Sequence, residues 1–157
     1  MLQTDYFYFI KDKFYEEFSD CGLMTNYPSD DNGQHNRPCY YCLFYEELFW
    51  MIPISSRLEK YKRIYMDKMR RYRKCDGIKF GYVNGERRAF LLQNIFPVTA
   101  EYVEKMYKVN HETVPVTVNS DFALEINKTA RKIIRMYQRG VKIVLTNLDK
   151  IIEKLKA

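Results

Sequence analysis

The sequence predicts an α+β fold: a twisted antiparallel β-sheet core surrounded by α-helices. Three observations predict it. Asn84-Gly85 sits between the runs "IKFGYV" and "ERRAFLL" and is the dipeptide a type I′ hairpin turn prefers, because both central residues need positive φ. Residues 57–74 and 120–139 carry apolar side chains at helical spacing. No glycine-rich turn joins a strand to a helix, which argues against a nucleotide-cofactor fold. The 157 residues, 46% of them apolar, fit one domain, 1–157, with one core.

The elements follow in order. Residues 5–10, "DYFYFI", are rich in aromatics and read as a strand. Residues 11–18 form a short helix with Phe14 and Phe18 on one side. Residues 19–36 are a polar loop dense in turn formers. Strands at 38–45 and 48–54 flank a turn at Glu46-Glu47, with Pro53 near the end of the second. A helix over 57–74 has Leu58, Tyr61, Tyr65, Met69 and Tyr72 as its apolar stripe. The 84–85 hairpin returns in a strand to about residue 96, which Pro97 ends. Thr99 caps a helix through about residue 107. A connector leads to a helix capped by Asn119 or Ser120 and stopped at Gly140. A last helix spans 142–156, with Val144, Leu148, Ile151, Ile152 and Leu155 on one face.

The net charge is +6, from 26 Lys and Arg against 20 Asp and Glu, and there are 14 tyrosines. Cations attract phosphates and aromatics stack on bases, so the composition favours a nucleic-acid partner. A solvated basic surface on a protein-binding adaptor is the plainer alternative. No stretch is long and apolar enough for a membrane span. The N-terminus lacks a basic leader before an apolar block, so a cytoplasmic location is expected. Cys39 and Cys42 form a C-x-x-C, but three residues apart on a strand they face opposite sides of a sheet and cannot easily share a metal. Buried reduced thiols are expected, and no metal site.

"ISSRLEK" holds the main chemical signal. Ser56 and Glu59 have capping-box spacing, which is reason enough for one serine. Two hydroxyls with Arg57 and Lys60 in the first turn leave a surplus that suits a phosphate. The second signal is "QHNRP": His35 as a proton carrier and Arg37 as a phosphate clamp. A short turn between the two strands brings the start of one beside the end of the other, and so His35 and Arg37 near Ser55 and Ser56. No G-x-S-x-G elbow supports a serine hydrolase. The acidic pairs Asp30-Asp31 and Glu46-Glu47 read as turn residues rather than metal ligands.

The opening "DYFYFIKDKFYEEF", the block "NRPCYYCLFYEELFWMIPISSRLEK" and the basic helices resemble the type III toxin–antitoxin endoribonucleases, the ToxN and AbiQ group, most closely its CptN branch. The resemblance extends over nearly the whole chain. It implies a toxin-type, small barrel-like sheet. It implies a metal-independent endoribonuclease in which the ribose 2′-hydroxyl attacks the adjacent phosphate, leaving 2′,3′-cyclic phosphate and 5′-hydroxyl ends. Ser55, Ser56, Arg37 and Lys60 would supply donors, with His35 as acid or base. The lysine that the family places two residues after the second serine is Leu58 here, so that cation is Arg57 or Lys60. The implied partners are cellular RNA substrates and a small repeat RNA antitoxin, pseudoknot-like, which the enzyme processes and which inhibits it in a closed assembly alternating protein and RNA. Growth inhibition or phage defence would follow. RNA grips are expected at Arg57, Lys62 and Arg63 on one helix, and at Lys128, Arg131, Lys132, Arg135 and Arg139 on another. A non-catalytic RNA-binding module using the same faces is the alternative.

Overall fold

A computed structural model describes residues 2–24 and 37–157. The elements are β1 (Phe7–Ile10), α1 (Asp12–Glu17), β2 (Cys39–Tyr45), β3 (Leu48–Ser55), α2 (Leu58–Tyr72), β4 (Lys79–Val83), β5 (Glu86–Phe90), β6 (Phe96–Val98), β7 (Val103–Met106), β8 (Lys108–Val109), β9 (Val114–Pro115), α3 (Ser120–Gln138) and α4 (Leu148–Leu155). The α+β class holds, and every described strand pairing is antiparallel.

The barrel-like expectation is wrong. The main sheet runs β4-β5-β3-β2-β1-β7, with β6 also on β3, and its outer strands β4 and β7 do not meet. The sheet stays open because helices, rather than strand closure, bury its surfaces. One core joins Tyr40, Trp50, Ile52 and Ile54 to Ile126, Ala130 and Ile133 of α3. The opposite face packs Tyr8, Tyr41 and Met51 against Phe14 of α1. A third cluster seats Tyr61 of α2 on Ala89 and Leu91. The side-chain alternation of strands explains this division: Trp50, Ile52 and Ile54 go one way and Met51 the other. Cys42 and Cys39 are split in the same way, and both are free and buried.

The hairpin at Asn84-Gly85 forms as expected, with φ of 52° and 79°. The turn at Glu46-Glu47 likewise takes positive φ at both residues. Helix α3 starts where expected: the Asn119 side chain accepts from the N–H groups of Asp121 and Phe122. It is held to β2 by Asp5, which accepts from the Tyr40 hydroxyl at 2.9 Å and from Asn127 Nδ2 at 2.7 Å.

Two expectations fail for tertiary reasons. Residues 99–107 are not a helix; a short turn at Ala100–Tyr102 leads into β7. The free edge of β1 recruits this segment, pairing Tyr8 with Met106 and Phe9 with Lys105. The last helix begins only at Leu148. Before it, the Leu145 N–H bonds Gln93 O, Thr146 Oγ1 bonds Ile95 O and the Asn147 N–H bonds Cys21 O. All three bonds anchor the segment across the fold, and the two backbone N–H groups are thereby lost to a helix. Pro97 does not end a strand but lies within β6 opposite Trp50, where β6 pairs on one side only.

Candidate active site

The site is made by one register. Cys39 pairs with Pro53 and Tyr40 with Ile52 in the β2–β3 ladder. Extending that register by two residues sets Arg37 across from Ser55. The short turn at Glu46-Glu47 thus brings Arg37 to the serines, as expected of it.

Ser55 is the last residue of β3 and is 1% exposed, whereas Ser56 is exposed. Ser55 Oγ accepts the Arg57 N–H at 3.1 Å. Its own proton therefore remains available for donation. The capping box is not formed: Arg57 is the N-cap of α2 and makes no side-chain cap bond. The first hydroxyl, not the second, serves the helix start. The reason is geometric, because the strand continues through Ser55 and the chain bends at Ser56.

The two serines open into different cavities. Ser55 lines one of about 250 Å³ together with Arg37, Arg57, Lys60, Tyr61, Leu23 and Met24. Ser56 lines one of about 410 Å³ with Arg37, Asn84, Glu86, Arg88 and Tyr107 among others. Arg37 lines both and is the link between them. The first cavity has three cationic side chains, the hydroxyl-bearing Ser55 and Tyr61, and no carboxylate among its described lining residues. Lys60 Nζ also lies 5.3 Å from the Tyr61 ring centroid. In the second cavity Arg88 is paired to Glu86.

The structure thus gathers Arg37, Ser55, Arg57 and Lys60, and places Ser56 beside them across Arg37. Leu58, at the position where a lysine was expected, is half-buried against the α2 cluster. His35 lies outside the described residues. Tyr61 and Tyr107 were missed: Tyr61 reads in sequence as one more member of the apolar stripe, and Tyr107 as the end of a helix that does not form.

The basic faces are uneven. Lys132 donates to Asp76 at 2.8 Å, and Lys74 holds the same carboxylate at 3.2 Å. Burial pushes the Asp76 carboxyl up, but the bonds from Lys132 and Lys74 outweigh it and bring it below the usual range. Lys62 lies 4.0 Å from Glu59. Arg57, Arg63, Lys128, Arg131, Arg135 and Arg139 make no ion pair among the described residues. Among the described residues no group of three or more His, Cys, Asp or Glu could hold a metal ion, and no helix is long and apolar enough to cross a membrane.

No protein-family model matches the chain, and no curated protein matches it. Solved structures do. AbiQ, a lactococcal anti-phage endoribonuclease belonging to the type III toxin–antitoxin system, superposes with a TM-score of 0.71 at 12% identity, covering 98% of this chain and 97% of that one. A chain from work on selective toxin inhibition by a non-coding RNA pseudoknot in bacterial type III toxin–antitoxin systems gives 0.67 at 13%, with the same coverage. A chain from a bacterial antiviral system regulated by a processed non-coding RNA gives 0.66 at 14%, covering 96% and 97%. At these identities the likeness is one of fold, over essentially the full length of both partners.

Proposed function

We propose that the protein is a metal-independent endoribonuclease toxin of the ToxN and AbiQ kind, of the CptN-like branch, restrained by a small repeat RNA. The observation that carries this reading is the cavity where Arg37, Ser55, Arg57 and Lys60 converge with no carboxylate among the described lining residues. Such a lining suits an anion that gains negative charge during reaction. The fold shared with AbiQ supports an RNA phosphodiester as that anion.

In the proposed step the ribose 2′-oxygen attacks the neighbouring phosphorus and the bond to the 5′-oxygen breaks. The 2′-hydroxyl proton passes to a base, and the departing 5′-oxygen takes up a proton. No protein nucleophile is needed, only in-line placement and charge stabilisation. Arg37 and Lys60 offset charge on the non-bridging oxygens, with Arg57 as the further cation. Ser55 donates its remaining proton, and Ser56 approaches from the adjoining cavity. His35 is the proposed proton carrier. The enzyme would process its own antitoxin RNA and be held by it in a closed assembly alternating protein and RNA, in a cytoplasmic setting of growth inhibition or phage defence.

The test is cleavage of single-stranded RNA by purified protein in EDTA, followed by analysis of the ends. Cutting that leaves 2′,3′-cyclic phosphate and 5′-hydroxyl termini is the expected result. Loss of cutting on chelation would overturn the metal-free step. RNA binding without any cleavage would make the protein a binding module.

A further inference from the structure

The Ser56 cavity differs in chemistry from the Ser55 cavity beside it. Its volume of about 410 Å³ is that of a small-ligand site. Pro38, Ile54, Val83 and Tyr107 give it apolar walls. Asn84, Glu86 and Arg88 of the β4–β5 hairpin supply polar groups that the cleavage step does not use. Ser56 and Arg37 line it too, and Arg37 lines the Ser55 cavity as well.

The hairpin residues share one face of the sheet with those walls. Val83 pairs with Glu86 and Gly81 with Arg88. Directly paired side chains point the same way, and they alternate along each strand, so Glu86 and Arg88 lie on the face of Val83. Ile54 and Val83 belong to the core that α3 covers, and Tyr107 packs against it. Arg87 goes to the opposite face, where its guanidinium lies 5.1 Å from the Phe80 ring centroid.

These polar groups do not suit a second phosphate. Glu86 brings a carboxylate, and Arg88 is already committed. It holds Glu86 Oε2 and donates through Nη1 to Arg87 O at 2.9 Å. The carboxylate is thus oriented by its neighbour, and an ionised carboxylate can only accept. Asn84 can both donate and accept. Apolar and aromatic walls with such groups suit a flat, uncharged ring that offers N–H donors.

A phosphate held at Arg37 carries a nucleotide on each side, and the Ser56 cavity adjoins that phosphate through Arg37. We infer that this cavity is a specificity pocket for a nucleobase next to the scissile phosphate, in which Glu86 accepts from an exocyclic amine of that base. The inference deepens the proposed function and rests on it. Carboxylate side chains accept from base amines, and side-chain amides pair with base edges that offer a donor and an acceptor together. Uracil has no exocyclic amine and presents carbonyl oxygens in its place. It is the base that the pocket refuses, because two acceptors would face each other.

The experiment uses RNA oligonucleotides with one cleavable linkage, every other ribose being 2′-O-methylated. Each base is placed in turn on either side of that linkage, and kcat/KM is measured with purified protein. At one of the two positions the best-cut base carries an exocyclic amine and exceeds uracil roughly tenfold. Deleting the amine alone removes most of that advantage: purine for adenine, hypoxanthine for guanine, or pyrimidin-2-one for cytosine. Glu86→Ala cuts the amine-bearing and amine-free substrates alike. Glu86→Gln keeps part of the difference, because its amide oxygen still accepts, and melting temperatures confirm that both variants fold. Equal rates for all bases at both positions overturn the pocket and leave the ribonuclease reading standing. So does a preference for uracil, or a full amine preference that persists in Glu86→Ala. If wild type cuts none of the oligonucleotides, the ribonuclease reading and the pocket fall together.

Discussion

Arg37 and Ser55 line one cavity at the end of the β2–β3 ladder, past its last pair, Cys39 with Pro53. A cation and a hydroxyl 18 positions apart in sequence thereby share one cavity. Because the strand ends at Ser55 and the chain bends at Ser56, Ser56 opens into the cavity on the other side of Arg37. This divides the work of the two serines, and the division can be measured.

Ser55→Ala removes the acceptor for the Arg57 N–H and should lower stability by about 1 kcal/mol. It should also slow cleavage. Ser56→Ala loses no such bond; it should leave the melting temperature unchanged and still abolish growth inhibition on expression. A Ser56→Ala protein that remains fully toxic would remove that hydroxyl from the reaction.

Arg57 and Lys60 both line the Ser55 cavity. Alanine at each, assayed singly, identifies the cation that faces the phosphate. The expected pattern is a loss of kcat of about tenfold or more at Lys60 and a smaller loss at Arg57, whose backbone already serves the helix start. Equal losses would mean that both cations share the phosphate.

Asp76 ties α3 to the end of α2 through Lys132 and Lys74. Its carboxyl is held below the ordinary range, so the folded state resists protonation more than the unfolded chain does. The stabilisation is complete above about pH 4, the ordinary carboxylate range, and is lost as pH falls through the lower folded value. Asp76→Asn should therefore cost stability at pH 7, by no more than about 1 kcal/mol because the pair is open to solvent. In denaturant titrations the gap from wild type should close as the medium is acidified; a gap that is constant with pH would show that the carboxylate charge does not matter.

All four cysteines are buried and free. Burial pushes the Cys39 thiol up to about 12, and it pushes Cys42 up as well. Neither should form thiolate near neutral pH. Intact-mass measurement after iodoacetamide should find these two unmodified in the native protein and all of them modified once it is unfolded. Rapid native labelling of Cys39 would contradict the packing of β2.

A Cβ added at Gly81 would come within 2.5 Å of the Phe122 ring. Gly81→Ala should cost about 1–3 kcal/mol by overpacking the contact between β4 and α3. Phe122→Leu, by freeing the ring edge, should recover part of that loss in a double-mutant cycle.

Much of the framework was legible. The Asn84-Gly85 hairpin and the stripes of α2 and α3 are local signals, and local physics decides them. The meeting of Arg37 with Ser55 was legible too, since a tight turn at Glu46-Glu47 constrains the strands beside it. Residues 103–106 were misread because their conformation answers to the free edge of β1. Residues 145–147 were misread because their N–H groups bond Gln93 and Cys21 and their Thr146 hydroxyl bonds Ile95. Nothing within either segment encodes those partners. The split of Ser55 from Ser56 depends on where β3 ends, at Ser55 rather than at Ile54, and on the bend at Ser56.

The sequence by itself determined the α+β class, the antiparallel pairing of β2 with β3 and the clustering of cations around two serines. Periodicity and turn chemistry act over a few residues and leave little choice there. Only the tertiary structure decided that the sheet stays open and that Arg37 bridges two cavities rather than closing one. Those outcomes depend on which faces the helices cover, and that is settled by contacts between residues far apart in the chain.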